Sequence, residues 1–326
     1  MCVSRRVSCR APASSANIGP GFDAFSIGLE EPCLDLTLEY LGDGVGVEMV
    51  VEGAYASRVP QPYENLAAVR GLKAYLKRSG IEGRFLMKLN AGIPIAKGLG
   101  SSGAEAVAAI VAADTMYGSS LSTSEKIALA ASAEPGGHAD NVVASLLGGF
   151  NIVDTEGDEI HYMNIQPPEE LGIVVIVPSF EKESTEKARG IFREGPSLRE
   201  YAHAVSRASI IAAAMALGRL EHALRLIPQD PYVEVVRANS GLYGPGYDWN
   251  KLQEEKRYLI RNYGVALCIS GAGPSRLLLY DKSRGGEVLE ESVNYLADRL
   301  EKYAGGVERV IYTQLSRTGV VVTENL

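Results

Sequence analysis

The sequence predicts a mixed α+β protein built from two units. Three observations carry that expectation. Strand-period and helix-period segments are interleaved without strict βαβ alternation. The chain has 326 residues, a length that favours about two domains. Apolar residues make up 46% and charged residues 22%, the balance of a folded globular protein rather than a disordered one. Glycine is over-used, at 35 of 326 residues against a usual ~7%. That excess marks tight turns and places where the backbone approaches something closely.

The elements follow in order. Residues 3–9 alternate and read as a strand, and a turn-rich stretch with two prolines and two glycines covers residues 11–23. Residues 35–40 and 46–51 alternate as strands; residues 64–77 place Leu66, Val69, Leu72 and Leu76 at helical spacing. A strand at 84–90 leads through a glycine-rich loop into an Ala-rich helix at 102–117. Ser122 and Glu125 spell a capping box that opens a helix to about Ala133. A short helix at 140–147 is closed by Gly148 and Gly149. The polar stretch 154–168 is the candidate boundary, dividing the chain into residues 1–160 and 161–326. Beyond it come an apolar strand at 172–177, helices at 198–217 and 220–227, and a strand at 264–270 that runs into a second glycine turn at 271–275. A strand at 277–280, a helix at 287–303 and a strand at 309–314 complete the pattern.

Charge and cysteine usage exclude several functions. With 32 Lys+Arg against 40 Asp+Glu the net charge is −8, so no basic field invites nucleic acid. The four cysteines, Cys2, Cys9, Cys33 and Cys268, form no C-x-x-C pair and no secreted disulfide framework. The first residues lack the apolar core of a signal peptide, and no window of ~18 residues is apolar throughout. The expectation is a cytoplasmic protein without a membrane partner.

Four segments carry chemistry. The first is Pro94-Ile-Ala-Lys-Gly-Leu-Gly-Ser-Ser102, between an apolar strand and a helix. Its glycines let the backbone turn N–H groups inward, and the helix that follows adds a positive dipole end: a cradle for phosphate. Ser101 and Ser102 can bind a phosphate or a magnesium ion, and Lys97 can add a point charge. Gly98, Gly100 and Gly103 also spell the dinucleotide fingerprint, but no acidic residue ends a second strand ~20 residues on, so that reading fails. The second segment, residues 12–23, is a small-residue loop holding Asn17 and Asp23. The third gathers His138, Asp140 and Asn141 behind Glu134 and two glycines. The fourth is Ser270-Gly-Ala-Gly-Pro-Ser275 at the end of an apolar strand.

Together these segments resemble the GHMP small-molecule kinases, in the form carried by their homoserine-kinase branch. Residues 12–23 match the amino-terminal P-A-[ST]-S-A-N-[LI]-G-x-G-[FY]-D pattern. Residues 94–102 match P-x-x-x-G-L-G-S-S, residues 137–150 match [GK]-H-x-D-N-V…L-G-G-[FL], and residues 269–275 match [IV]-S-G-[AS]-G-P-[ST]. The resemblance implies a two-domain GHMP kinase fold: an N-terminal domain like the second domain of a ribosomal protein, a ferredoxin-like C-terminal domain, and a site in the cleft between them. It implies ATP and Mg2+ as cofactors, L-homoserine as substrate, and a homodimer. The loop Pro94, Lys97, Gly98, Leu99, Gly100, Ser101 and Ser102, with Asn65 and Thr185, would hold the nucleotide. Ser101, Ser102 and Glu134 would hold the metal. Asp23 would take the substrate ammonium, and Arg189 and Arg237 its carboxylate, a division that suits a zwitterion. Asn17, His138, Asn141, Gly271 and Gly273 would surround the acceptor, with Asn141 orienting the hydroxyl and Asp140 the alternative as general base. Another GHMP kinase acting on mevalonate, shikimate or a sugar would have no use for an ammonium ligand at Asp23. A non-catalytic sensor would have no need of an intact Gly-Leu-Gly-Ser-Ser loop with Glu134 available.

Overall fold

The first strand shows how the interior is set. Val7, Cys9, Ala11 and Ala13 alternate inward with no exposed surface, and the strand they define, β1, spans Arg6–Ala16. The computed structural model describes residues 5–134, 136–157, 159–180, 190–192 and 195–326. From β1 the chain runs through β2 (Phe25–Gly42), β3 (Gly46–Glu52), α1 (Ala67–Ser79), β4 (Arg84–Asn90), α2 (Ser101–Met116), α3 (Thr123–Ala133) and α4 (Asp140–Leu147). The hairpin β5 (Phe150–Glu156) and β6 (Glu159–Ile165) follows, then β7 (Leu171–Pro178). The remainder is α5 (Leu198–Ala216), α6 (Leu220–Leu226), α7 (Val233–Asn239), α8 (Trp249–Asn262), β8 (Ala266–Ile269), β9 (Arg276–Asp281), α9 (Gly286–Ala304), β10 (Val307–Thr313) and β11 (Val321–Asn325).

Two sheets result. The larger has the order β11-β1-β2-β4-β3, with β5 also pairing β2 and β6 pairing β5. All of its pairs are antiparallel except β3 with β4. The smaller has the order β10-β7-β9-β8, entirely antiparallel. With helices between β7 and β8 and between β9 and β10, it has the strand-helix-strand-strand-helix-strand connectivity of a ferredoxin-like unit. The expected α+β fold with a ferredoxin-like C-terminal half is what the chain adopts.

The helices explain their own composition. The Ala-rich α2 is buried nearly all round, pressed between the first sheet and helices α1, α3 and α4, as expected for a helix without a polar face. Gly71 of α1 lets the two backbones close, since a side chain there would stand 3.2 Å from the Ala106 carbonyl. The uninterrupted apolar run of β7 has a similar cause. Ile173, Val175 and Val177 face the core shared with the first sheet, while Val174 and Ile176 face α8 and α9, so neither face of the strand meets water.

Three expectations change. Residues 11–16, expected in a turn, continue β1, with Ser14 and Ser15 fully buried opposite Gly28 and Ile27; only small side chains fit where α2 and α4 press on the strand. The stretch 154–168, expected to be the least structured, contains most of the β5–β6 hairpin. Its outward positions are polar apart from Met163, because that side of the hairpin faces solvent. Helices α7 and α8 are not among the expected elements; α8 is amphipathic, with six charged residues in fourteen and Leu252 and Leu259, two turns apart, as its fully buried apolar residues.

Candidate active site

The loop before α2 is shaped by its glycines. Ala96, Gly98 and Gly100 all have positive φ, which an L side chain rarely adopts. At Gly98 a Cβ would stand 2.2 Å from the Ser270 carbonyl oxygen, and at Gly100 it would stand 2.0 Å from Ser14 Oγ. The loop is therefore clamped between the end of β1 and the glycine turn after β8. Hydrogen bonds lace the three together. Ser14 N donates to Leu99 O at 3.2 Å, Gly271 N to Ala16 O at 2.8 Å and Ser275 N to Lys97 O at 3.3 Å. Ser270 Oγ donates to Gly98 O at 2.7 Å. The result aims the N-terminus of α2, with Ser101 and Ser102 in its first turn, into a cleft of about 320 Å³ between the two halves.

Four polar groups stand beside that helix end. Ser102 Oγ donates to Glu134 Oε1 at 2.5 Å, and Ser101 Oγ to Glu105 Oε1 at 3.3 Å. Burial pushes the Glu105 carboxyl up to about 7, helped by the charge of Glu134. Burial likewise pushes Glu134 up to about 7, with Asp140 adding to it and the Ser102 hydrogen bond opposing it. On α4, Asp140 Oδ1 accepts the Asn141 backbone N–H at 2.7 Å and its side-chain amide at 3.3 Å, while Asn141 Oδ1 accepts Ser14 Oγ–H at 2.9 Å. The Asn141 amide is thus fixed from two sides.

Across the cleft stands Arg237, 1% exposed near the end of α7. Its guanidinium lies 5.2 Å from the Phe22 ring and 5.6 Å from the Phe192 ring, within cation–π range, and donates to Gly271 O at 3.3 Å. Asn17 adopts φ 58°, a conformation asparagine tolerates, and its Oδ1 accepts the Asp23 N–H at 2.8 Å, closing the loop that carries Phe22.

The cleft wall brings together Asn17, Asn65, Pro94, Gly98, Leu99, Gly100, Ser101, Ser102, Glu134, His138, Asp140, Asn141, Arg237 and Gly271. It does not include Lys97. That side chain is fully buried and turned away, its Nζ donating to Pro178 O, Ser179 O and Phe180 O at 2.8, 3.3 and 2.8 Å, 3.3 Å from Glu308. Lys97 is a tie between the loop and the end of β7, so the expected point charge on a phosphate is corrected. Gly273 is also off the wall, packed under the Tyr243 ring. Asp23 is half-buried next to Phe22 without lining the cavity. Thr185 and Arg189 lie outside the described residues.

A family model for the GHMP kinases N terminal domain matches residues 66–149. The homoserine kinase of Deinococcus radiodurans is 35% identical over 98% of this chain and 97% of its own. The chain belongs to the homoserine kinase family. The homoserine kinase of Thermoplasma acidophilum is 32% identical over 90% of this chain and 91% of its own. The crystal structure of homoserine kinase from Cytophaga hutchinsonii shares the fold, with a TM-score of 0.81 at 23% identity over 99% and 98% of the two chains.

In this homoserine kinase family member, sequence reasoning missed two charged residues on the wall, Glu105 and Arg70. Glu105 leaves a trace: it is the only charged residue in the first twelve of α2. Arg70 leaves none, since an arginine on an amphipathic helix reads as solvated surface. Its Nε is buried without a hydrogen-bond partner among the described residues.

Proposed function

We propose that this chain transfers the γ-phosphoryl group of ATP to the side-chain hydroxyl of L-homoserine, with Mg2+, giving O-phospho-L-homoserine and ADP. The observation that carries this reading is the cleft, where a glycine-shaped helix N-terminus faces Asn141 and an aromatic-held arginine. Gly98 to Ser102 would wrap the phosphates with backbone N–H groups and the α2 dipole. Arg237, with Arg189, would hold the substrate carboxylate, and Asp23 its ammonium. Asn17, His138 and Asn141 would surround the acceptor hydroxyl.

The donor set fits magnesium. Among the described residues no three His, Cys, Asp or Glu side chains gather into a metal cage, and Mg2+ is ordinarily held by one or two carboxylates together with substrate phosphates. Glu134 with Ser101 or Ser102 would supply its protein oxygens. When bound, the metal neutralises phosphate charge. The transferring group passes through a loose transition state, so in-line positioning and charge neutralisation carry most of the rate. The hydroxyl oxygen bonds to phosphorus as the bond to ADP breaks, and the hydroxyl proton passes to a phosphoryl oxygen or to water, so no strong base is required of the chain. Asp140 spends one carboxylate oxygen on Asn141, which favours Asn141 as the group that orients the hydroxyl and makes Asp140 its support.

The same reading takes the enzyme as a cytoplasmic homodimer, and its two units would meet between β6 and β7 rather than at residue 160, which lies inside the β5–β6 hairpin of the first sheet. The unpaired Cys9, Cys33 and Cys268 suit a reducing compartment, and no described helix is long and apolar enough to cross a membrane. A coupled ADP-release assay with MgATP tests the activity across L-homoserine, mevalonate, shikimate and galactose. Turnover with homoserine alone is expected. Turnover with another alcohol would void the amino-acid site while leaving the phosphate loop intact.

A further inference from the structure

A second cavity, of about 640 Å³, opens between α5, α6 and α8 and shares no lining residue with the cleft. One face of α8 builds most of it. Trp249, Gln253, Lys256, Arg257, Ile260 and Arg261 recur at intervals of three and four, the spacing that puts residues on one side of a helix. Arg207 from α5 and Arg225 from the last turn of α6 complete a set of four guanidiniums around it.

This concentration of positive charge needs an explanation in a chain of net charge −8. Arg257 and Arg261 stand four apart on α8, where like charges repel, and neither has an ion-pair partner among the described residues. Asp230 is the one acid on the cavity wall and sets a single negative charge against the four guanidiniums. Asp230 accepts N–H groups of Tyr232, Val233 and Glu234 at 2.8, 2.9 and 3.1 Å, which caps the start of α7. The Lys256 ammonium is paired with Glu234. Arg207 spends one N–H on Gln229 O, and Arg225 lies 3.8 Å from the exposed Glu221. The four arginines line a hollow whose wall also carries an indole and an isoleucine, with Lys256 Nζ 5.6 Å from the centre of the indole ring. Planar guanidiniums suit phosphate oxygens, and an indole offers a flat apolar surface beside them.

We propose that this cavity is a second ligand site, binding a phosphorylated molecule of at least two negative charges, its phosphates on Arg225, Arg257 and Arg261 and its remainder against Trp249. Trp249 is the sole tryptophan of the chain, so its fluorescence reports the site directly. Titrations of the full-length protein would use ADP, pyrophosphate and citrate, beside the double variant Arg257→Glu/Arg261→Glu. The expected result is a saturable fluorescence change with ADP or pyrophosphate, weakened about tenfold or more in the double variant, whose KM for ATP stays unchanged. A midpoint tighter for ADP assigns the organic part to Trp249; equal midpoints assign recognition to the phosphates alone. Should the double variant fail to fold, Arg257→Gln/Arg261→Gln tests the same point. Three results would each overturn the proposal: no change with either phosphate, an equal response to citrate, or a response that survives in the variant and so comes from the catalytic cleft.

Discussion

Glu105 and Glu134 show what burial does to an acid. Both line the cleft beside the first turn of α2, and both are raised from an ordinary 4.5 to about 7, by burial first. The folded protein therefore keeps protons that the unfolded chain releases between about pH 4.5 and 7, and stability contributed by these groups falls as pH rises through that window. Melting curves of the metal-free protein should show Tm declining across it, and Glu105→Gln should flatten the decline; an unchanged slope in the variant would place the titration elsewhere. Arg237 makes a separate prediction. Its guanidinium is held by two rings and a carbonyl, so Arg237→Ala should raise KM for homoserine roughly 10- to 100-fold while KM for ATP moves little. Lysine should restore only part of the loss, lacking the bidentate fork. An equal effect on both substrates would make Arg237 a structural residue.

At the scale of elements, the glycine-rich loop before α2 was legible because its glycines are demanded by local geometry. Gly-Leu-Gly before an apolar helix can be read without knowing what lies across from it. The direction of Lys97 could not be read, since its acceptors, Pro178, Ser179 and Phe180, are more than eighty residues away and meet the loop only when β7 docks beside it. Glu105 falls between these cases, visible as a lone charge in an alanine-rich helix but silent about what it faces. The loop's tightness is testable. Gly100→Ala puts a methyl 2.0 Å from Ser14 Oγ and 2.9 Å from Asn141 Oδ1 at φ 65°. The strained conformation costs about 1–3 kcal/mol, and displacing Ser14 and Asn141 should lower kcat at least tenfold by the same order-of-magnitude reasoning; wild-type kcat in a folded variant would show the loop to be pliable. Lys97→Met leaves the carbonyls of Pro178 and Phe180 without their donor. Denaturant midpoints should record a loss of about 2–4 kcal/mol, with KM for ATP rising because the loop loses its tether to β7.

Over the whole molecule, the two halves are joined by more than the chain that connects them. The C-terminal half returns its last strand to the first sheet, where β11 pairs with β1 on the side away from β2. Hydropathy gave no warning of this, because β11 is mostly exposed and its value is a row of backbone hydrogen bonds. Those bonds cover an edge. Arg5 and Arg6 N–H groups donate to Leu326 O, Leu326 N donates to Arg6 O, and Glu324 accepts from Ser8 Oγ and pairs with Arg6. The protected strand is the one whose far end supplies Ser14, Ser15 and Asn17 to the cleft region, so the last residues of the chain steady the first wall of the site. Deleting residues 321–326 should expose the β1 edge to other chains. The expected outcome is a lower Tm together with association that grows with protein concentration, seen by light scattering. At low concentration the truncated enzyme should keep its KM for ATP, since the glycine-rich loop is clamped by β1's inner end and by the turn after β8. A truncated chain that melts and remains dispersed like the intact one would show that β1 holds its place through β2, α2 and α4 alone.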